Sequence, residues 1–226
     1  MGEWIELTAA DGFALAAWQA FPDGKPKGAV VVLQEIFGVN AHIREVTDSY
    51  AEAGYLALAP ALFDRAEGDV ELGYDAAGME RGVALARGAL DIEQTLLDLQ
   101  AAVDHAAQAG PVGLVGYCFG GMLAWLGAGR LDAVAAVSSY YGGGVAELLE
   151  LMPRCPVIFH FGARDAHIPI EQVERIGATY PQCPVYVYDA DHGFNCDHRD
   201  SHDAPSAALA RERTLAHFAN CLSAPL

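Results

Sequence analysis

The sequence predicts an α/β fold: a mostly parallel central sheet with helices on both faces and an antiparallel hairpin at its N-terminal edge. Three observations predict it. Apolar, β-branched runs recur along the chain, as in Ala29-Val30-Val31-Val32-Leu33, and a run that is apolar at every position fits a strand covered on both faces. Segments with helical spacing lie between these runs, and strands alternating with helices make parallel crossovers. The segment before the first such run has a different character: it reads as two short strands about Ala10-Asp11-Gly12, a hairpin turn signal.

Each element follows in order. Residues 3–21 supply the hairpin strands, and Asp23-Gly24-Lys25-Pro26 is a second turn. After the run at 29–33, residues 41–53 have helical spacing and stop at Gly54. Tyr55-Leu56-Ala57-Leu58-Ala59 is another buried strand, closed by Pro60. Residues 61–78, rich in Asp, Glu and Gly, read as a surface loop. The Pro-free segment 80–108 places Leu90, Leu97 and Val103 at helical intervals and is expected to be one long helix that Gly88 could interrupt. A strand at 112–115 runs through a glycine-rich turn into a small-residue helix ending about Gly129. Strands at 133–139, 156–161 and 184–188 follow, with helices at 145–151, 170–179 and 205–222 and a loop at 190–204. There is no fixed-period repeat, low-complexity tract or linker, so residues 1–226 are expected to form a single domain.

Composition narrows the function. The chain has 226 residues, enough to bury a large core without disulfides or metals. Its formal net charge of −17 argues against nucleic acid and against anionic lipid as partners. The five cysteines, at irregular spacing and without a CxxC pair, suggest neither a disulfide framework nor a zinc ribbon. The N-terminus lacks the basic start and apolar core of a signal peptide, and no apolar run reaches the ~18 residues of a membrane span. A cytoplasmic protein is expected, by default a monomer, with no membrane or nucleic-acid partner.

The strongest local signal is Gly116-Tyr117-Cys118-Phe119-Gly120, a G-x-C-x-G between a strand and a helix. A sharp turn of this kind pushes the central side chain into the open, while glycines let neighbouring backbones pass closely. The helix that follows offers free N–H groups and a positive dipole end, favourable to a thiolate and to an oxyanion. The plainer reading is a glycine-rich turn holding a structural cysteine.

Candidate partners follow in the chain order that such an elbow requires, nucleophile, acid, histidine. Phe159-His160-Phe161-Gly162-Ala163-Arg164-Asp165 is an apolar strand ending in a turn with Asp165 at its tip, and Asp191-His192-Gly193-Phe194 places His192 just past the next strand. His192 would take the thiol proton and Asp165 would hold the imidazole tautomer. The plainer readings are a surface-loop histidine and a helix-capping aspartate. His160, inside an apolar strand, reads as a core residue. His198 and His202 share a polar loop with Asp197, Asp200 and Asp203, which reads as a solvated loop rather than a metal site. Gln34-Glu35-Ile36-Phe37-Gly38 follows the first buried strand, where the backbone amide of Ile36 would join that of Phe119 as an oxyanion donor. Glu35 would enter the site as a carboxylate.

The segments Gln34-Glu35-Ile36-Phe37-Gly38-Val39-Asn40, Gly116-Tyr117-Cys118-Phe119-Gly120-Gly121, Gly162-Ala163-Arg164-Asp165 and Asp191-His192-Gly193-Phe194 together resemble the dienelactone hydrolase (carboxymethylenebutenolidase) family over nearly the whole chain. The resemblance implies an α/β-hydrolase fold without a large cap domain, no metal and no organic cofactor. It implies a Cys118–His192–Asp165 triad, Glu35 in contact with the resting thiol, and small cyclic enol esters bearing a carboxylate as substrates. Phe37 and Tyr117 are candidate substrate-binding residues. The family holds the substrate carboxylate with arginines. One follows shortly after the histidine's H-x-F, where this chain reads Asn195-Cys196 and has arginine only at 199. The other lies early in the long helix, where Arg81 is the candidate. A less selective ester or thioester hydrolase of the same family, and a non-catalytic binding or redox-sensing protein on this fold, are the alternatives.

Overall fold

The computed structural model describes residues 2–222. Eight strands form one sheet in the order β1-β2-β4-β3-β5-β6-β7-β8. They are β1 (Glu3–Thr8), β2 (Ala14–Ala20), β3 (Ala29–Leu33), β4 (Leu56–Pro60), β5 (Val112–Tyr117), β6 (Val134–Tyr140), β7 (Val157–Gly162) and β8 (Val185–Tyr188). β1 and β2 pair antiparallel, as does β2 with β4, and every pairing from β4 through β8 is parallel. The α/β class, the edge hairpin and the mostly parallel sheet are as the sequence predicts. β3, β4 and β5 are buried at every position, as their unbroken apolar runs require.

Among the described residues there are six α-helices: α1 (Ala41–Glu52), α2 (Ala76–Ala84), α3 (Ile92–Ala106), α4 (Phe119–Arg130), α5 (Ile170–Thr179) and α6 (Ala204–Cys221). The two-residue period of β5 sorts them by face. Gly113 packs against Phe218 and Leu222 at the end of α6, whereas its neighbour Leu114 meets Gly127 of α4. Tyr50 of α1 lies beside Phe218 of α6, and Trp125 of α4 packs on Tyr180 at the end of α5. α1 and α6 therefore share one face, and α4 and α5 the other.

Two helical expectations need correction. The segment 80–108 is not one helix. α2 starts earlier, at an N-cap on Asp75, and ends in a single π-helical turn at Leu85–Ala89; Leu90 is then extended, and α3 starts anew at the N-cap Asp91. Asp91 accepts from the amides of Glu93 and Gln94, so the chain uses it as a new start rather than continuing past Gly88. The expected helix at 145–151 is only a short 3-10 turn, Val145–Glu147. It follows Gly144 in the left-handed region and leaves too few residues before Pro153 to propagate.

His160 is the core residue the sequence suggests. Its Nδ1 pairs with the Tyr188 hydroxyl at 2.8 Å and its Nε2 with Thr214 Oγ1 at 3.2 Å. Burial pushes its imidazole down to about 3, so it remains neutral. Among the described residues, no helix is long and apolar enough to cross a membrane.

Candidate active site

The site lies at the carboxyl ends of β3, β5, β7 and β8, the edge where open α/β sheets carry their ligands. At its centre Cys118 sits between β5 and α4 with φ 54° and ψ −113°, a left-handed backbone position that costs roughly 1–3 kcal/mol for a non-glycine residue. Neighbouring backbone holds it there. The Cys118 amide donates to Tyr140 O at 3.0 Å, and the amides of Gly121 and Met122 donate back to Cys118 O.

The flanking glycines are required by close approach. A methyl group on Gly116 would lie 1.9 Å from Gly120 O, and one on Gly120 would lie 2.3 Å from Leu33 O. The second contact brings the elbow against the end of β3, where Gln34, Glu35 and Ile36 follow. Because the obstacles are backbone atoms, Gly120→Ala is expected to lower stability by ~2 kcal/mol or more, measured by urea unfolding. Alanine elsewhere in a helix would raise stability instead, so the sign of the change is the test.

The acid and the histidine come from adjacent parallel strands. Gly162 ends β7 with its Cα against Ala190 O, and the Arg164 amide donates to that same carbonyl at 3.0 Å. Asp165 is buried, 6% exposed, and uses both of its oxygens. Oδ1 accepts from the amides of His167 (2.8 Å) and Ile168 (3.1 Å), and Oδ2 faces His192 Nδ1 at 2.7 Å. Asp165 therefore caps its own turn, not α5, whose N-cap is Pro169.

His192 stands between Asp165 and Cys118. Burial opposes a charge on it, but the pull of charge on Cys118, and hydrogen bonding to Asp165 and Cys118, outweigh that and raise the imidazole to about 10. Its ring is also held by edge contacts from Tyr141 at 5.0 Å and His167 at 5.1 Å.

Sequence reasoning missed Tyr141. It follows β6 with φ 35°, is fully buried, and its hydroxyl has no hydrogen-bond partner among the described residues. Burial raises that hydroxyl far above its ordinary value, with the charges of Glu35, Cys196 and Cys118 adding to the effect. The hydroxyl is thus a neutral donor close to Glu35 and Cys118.

Glu35 is completely buried, and neither carboxylate oxygen has a hydrogen-bond partner among the described residues. Among the described residues, Glu35 therefore makes no hydrogen bond to the Cys118 thiol, where contact with the resting thiol was expected. Cys118 is set against His192 instead, and Glu35 Oε1 lies 3.5 Å from Arg199 Nη1. A guanidinium compensates a buried carboxylate better than a neutral thiol can.

Arg199 enters from the loop after β8, although it is three residues beyond Cys196. Successive tight turns fold this loop back: Cys196 N–H donates to Gly193 O, and Arg199 N–H to Cys196 O. The guanidinium passes beside Gly193 and sits over the rings of Phe37 (5.7 Å) and Tyr74 (5.6 Å). Phe37 is thus a floor beneath Arg199, and Tyr74 packs on it at 4.5 Å. Cys196 lies in the same wall; burial and the charge of Glu35 push its thiol up to about 12.

Two candidates lie elsewhere. Tyr117 is 1% exposed, and its hydroxyl pairs with that of Tyr50 at 3.3 Å. As the last residue of β5 it points to the face beneath α1 and is a core residue. Arg81 is half exposed and paired with Glu67. Its neighbour Gly82 packs directly on Ile36 O, so α2 covers this corner of the site with backbone while Arg81 points to another partner.

The Ile36 segment and the start of α4 lie side by side, as the packing of Gly120 on β3 requires. Phe119, the first residue of α4, has no carbonyl one turn earlier to receive its amide, and no side chain caps the helix. The arrangement offers a sulfur nucleophile, an imidazole backed by a carboxylate, and amides near the sulfur.

Comparison with known proteins finds relatives over nearly the whole chain. Residues 15–222 match the model of the dienelactone hydrolase family. A carboxymethylenebutenolidase from Pseudomonas putida is 36% identical over 225 residues, covering 94% of each chain. A Synechocystis protein assigned as a carboxymethylenebutenolidase is 37% identical over 209 residues, covering 84% of each. A crystal structure from Klebsiella pneumoniae, assigned as a dienelactone hydrolase, superposes with a TM-score of 0.82 at 30% identity, covering 97% of this chain and 99% of the other.

Proposed function

On the premise that this chain belongs to the dienelactone hydrolase family and is a carboxylic ester hydrolase, we propose that it opens a small lactone of the dienelactone type, a cyclic enol ester, through an acyl-enzyme on Cys118. The observation that carries the reading is the line of contacts from the strained Cys118 through His192 to a fully engaged Asp165. It supports His192 as the base that takes the Cys118 proton, since its imidazole is raised to about 10.

The thiolate attacks the ester carbonyl, and the amides of Ile36 and Phe119 hold the oxyanion. Collapse of this intermediate expels the enolate oxygen, which takes its proton from the His192 imidazolium, leaving a thioester on Cys118 and a neutral imidazole. A water then gives its proton to His192 and attacks the thioester carbonyl. The second collapse releases the carboxylic acid and restores the thiolate beside protonated His192. Tyr141, a neutral donor in contact with His192, would help to orient this pair.

A second reading, a small-ester or thioester hydrolase indifferent to a substrate carboxylate, is favoured by one observation: both candidate anchoring arginines already have carboxylate partners. Arg81 is paired with Glu67, and Arg199 lies against Glu35. A matched pair of cyclic enol esters, with and without a carboxylate, separates the two. The lactone reading expects the carboxylate to raise kcat/KM by ~10-fold or more, an effect lost in Arg199→Met. Equal rates on the two esters would support the less selective hydrolase. Mass spectrometry of rapidly quenched enzyme should find the acyl group on the peptide containing Cys118, and an unmodified Cys118 peptide during turnover would exclude the acyl-enzyme.

A further inference from the structure

Outside the triad, four potential ligands converge from two elements. His42 and Glu45 lie one turn apart on α1, so they share a face. Asp197 and His198 come from the loop that carries Arg199. His42 Nδ1 is 3.0 Å from Asp197 Oδ1, and His198 Nε2 is 2.8 Å from Glu45 Oε2 and 4.0 Å from Asp197 Oδ1. All four ligand atoms lie within 4.8 Å of one another.

We propose that His42, Glu45, Asp197 and His198 bind one divalent transition-metal ion of the zinc type, which pins the loop bearing Arg199 to α1. Tetrahedral zinc with bonds of about 2.0–2.1 Å places its ligand atoms roughly 3.3 Å apart, and the observed separations bracket that spacing. Two imidazole nitrogens and two carboxylate oxygens are a donor set suited to zinc and cobalt rather than to calcium or magnesium. Two carboxylates also balance the charge of a divalent ion. Without a cation, Glu45 and Asp197 converge in a protein that already carries −17.

One ligand is fixed in advance. His42 is 2% exposed, so burial holds its ring with Nδ1 facing Asp197 at the cluster. The other three ligands are at least partly exposed, and a cavity of ≈ 360 Å³ lined by His42, Glu45, Asp197 and His202 gives access. The sequence-based expectation set His198 and His202 in a solvated loop. The ligands that alter this picture come from α1, more than 150 residues away in the chain.

The test is titration of the full chain with cobalt and zinc. One equivalent should bind in the micromolar range or tighter, and the cobalt form should show tetrahedral d–d bands without a sulfur-to-cobalt charge-transfer band. Zinc should raise the Tm of the wild type. Glu45→Gln and His198→Ala, both at accessible positions, should fold normally by circular dichroism, bind ~10-fold or more weakly and lose the zinc-dependent rise in Tm. No binding in that range would overturn the proposal. So would a sulfur-to-cobalt band, which places the metal on a cysteine, or undiminished binding by both variants, which would reduce the cluster to two ordinary histidine–carboxylate contacts.

Discussion

Cys118→Ala is expected to lower kcat on its best ester by about 10⁴- to 10⁶-fold while leaving the fold intact. The size follows from losing a covalent route, not a contact. Without the sulfur, the site keeps the amides proposed to hold the oxyanion and its imidazole, and residual hydrolysis would have to use water directly. Stability should not fall. The backbone at residue 118 sits at φ 54°, and alanine carries no more steric burden there than cysteine. The sulfur is only half-buried, so little apolar contact is lost. His192 should respond as well. Charge on Cys118 is the chief influence raising it, so in the alanine variant its imidazole should lose protons at lower pH than the wild type's value of about 10, readable by NMR of the ring. Activity within tenfold of wild type would place the nucleophile elsewhere and remove the premise of the thioester route.

Much of this site was legible because its signals are local. The elbow is a pentapeptide whose glycines are demanded by backbone atoms within 2.3 Å of where side chains would begin. Asp165 and His192 each follow directly on a buried strand, and parallel pairing of β7 with β8 brings the two strand ends together. β3 was readable to the residue for the same reason, being apolar throughout, whereas β4 runs one residue later than the sequence suggests and includes Pro60.

What was not legible depends on where loops fold and which way a side chain turns. Arg199 is remote from the H-x-F in spacing, yet tight turns return it to Glu35. Tyr141 had no motif to mark it; its place beside His192 goes with a positive φ just beyond β6. Tyr117 stands beside the nucleophile in sequence but, at a strand end, points to the opposite side of the turn, where Tyr50 receives it. Arg81 occupies a suitable stretch of helix, yet the break at Leu90–Asp91 sets α2 apart from α3, and its guanidinium turns to Glu67. Nothing in the sequence of α1 foretold that His42 and Glu45 would meet Asp197 and His198.

Asp165→Asn is expected to lower kcat by ~10³- to 10⁴-fold with little loss of stability, because the backbone decides how an amide would sit there. Oδ1 accepts two main-chain N–H groups, from His167 and Ile168, so an asparagine must keep its carbonyl oxygen at that position. Its NH₂ group then faces His192 Nδ1, now 2.7 Å from Oδ2. Two donors cannot share that contact, so Nδ1 becomes the acceptor and the ring proton moves to Nε2, the nitrogen that must receive the thiol proton. The fold keeps its turn, and the chemistry loses its base. The pH dependence has a definite sign. In the wild type, His192 remains protonated until pH rises through about 10, and activity that needs the imidazolium falls only on that alkaline side. Removing the carboxylate's charge and hydrogen bond withdraws part of what raises the ring, so the alkaline limb of kcat/KM should move to lower pH in Asp165→Asn. A variant that keeps the wild-type alkaline limb would show that Asp165 acts only as a turn cap.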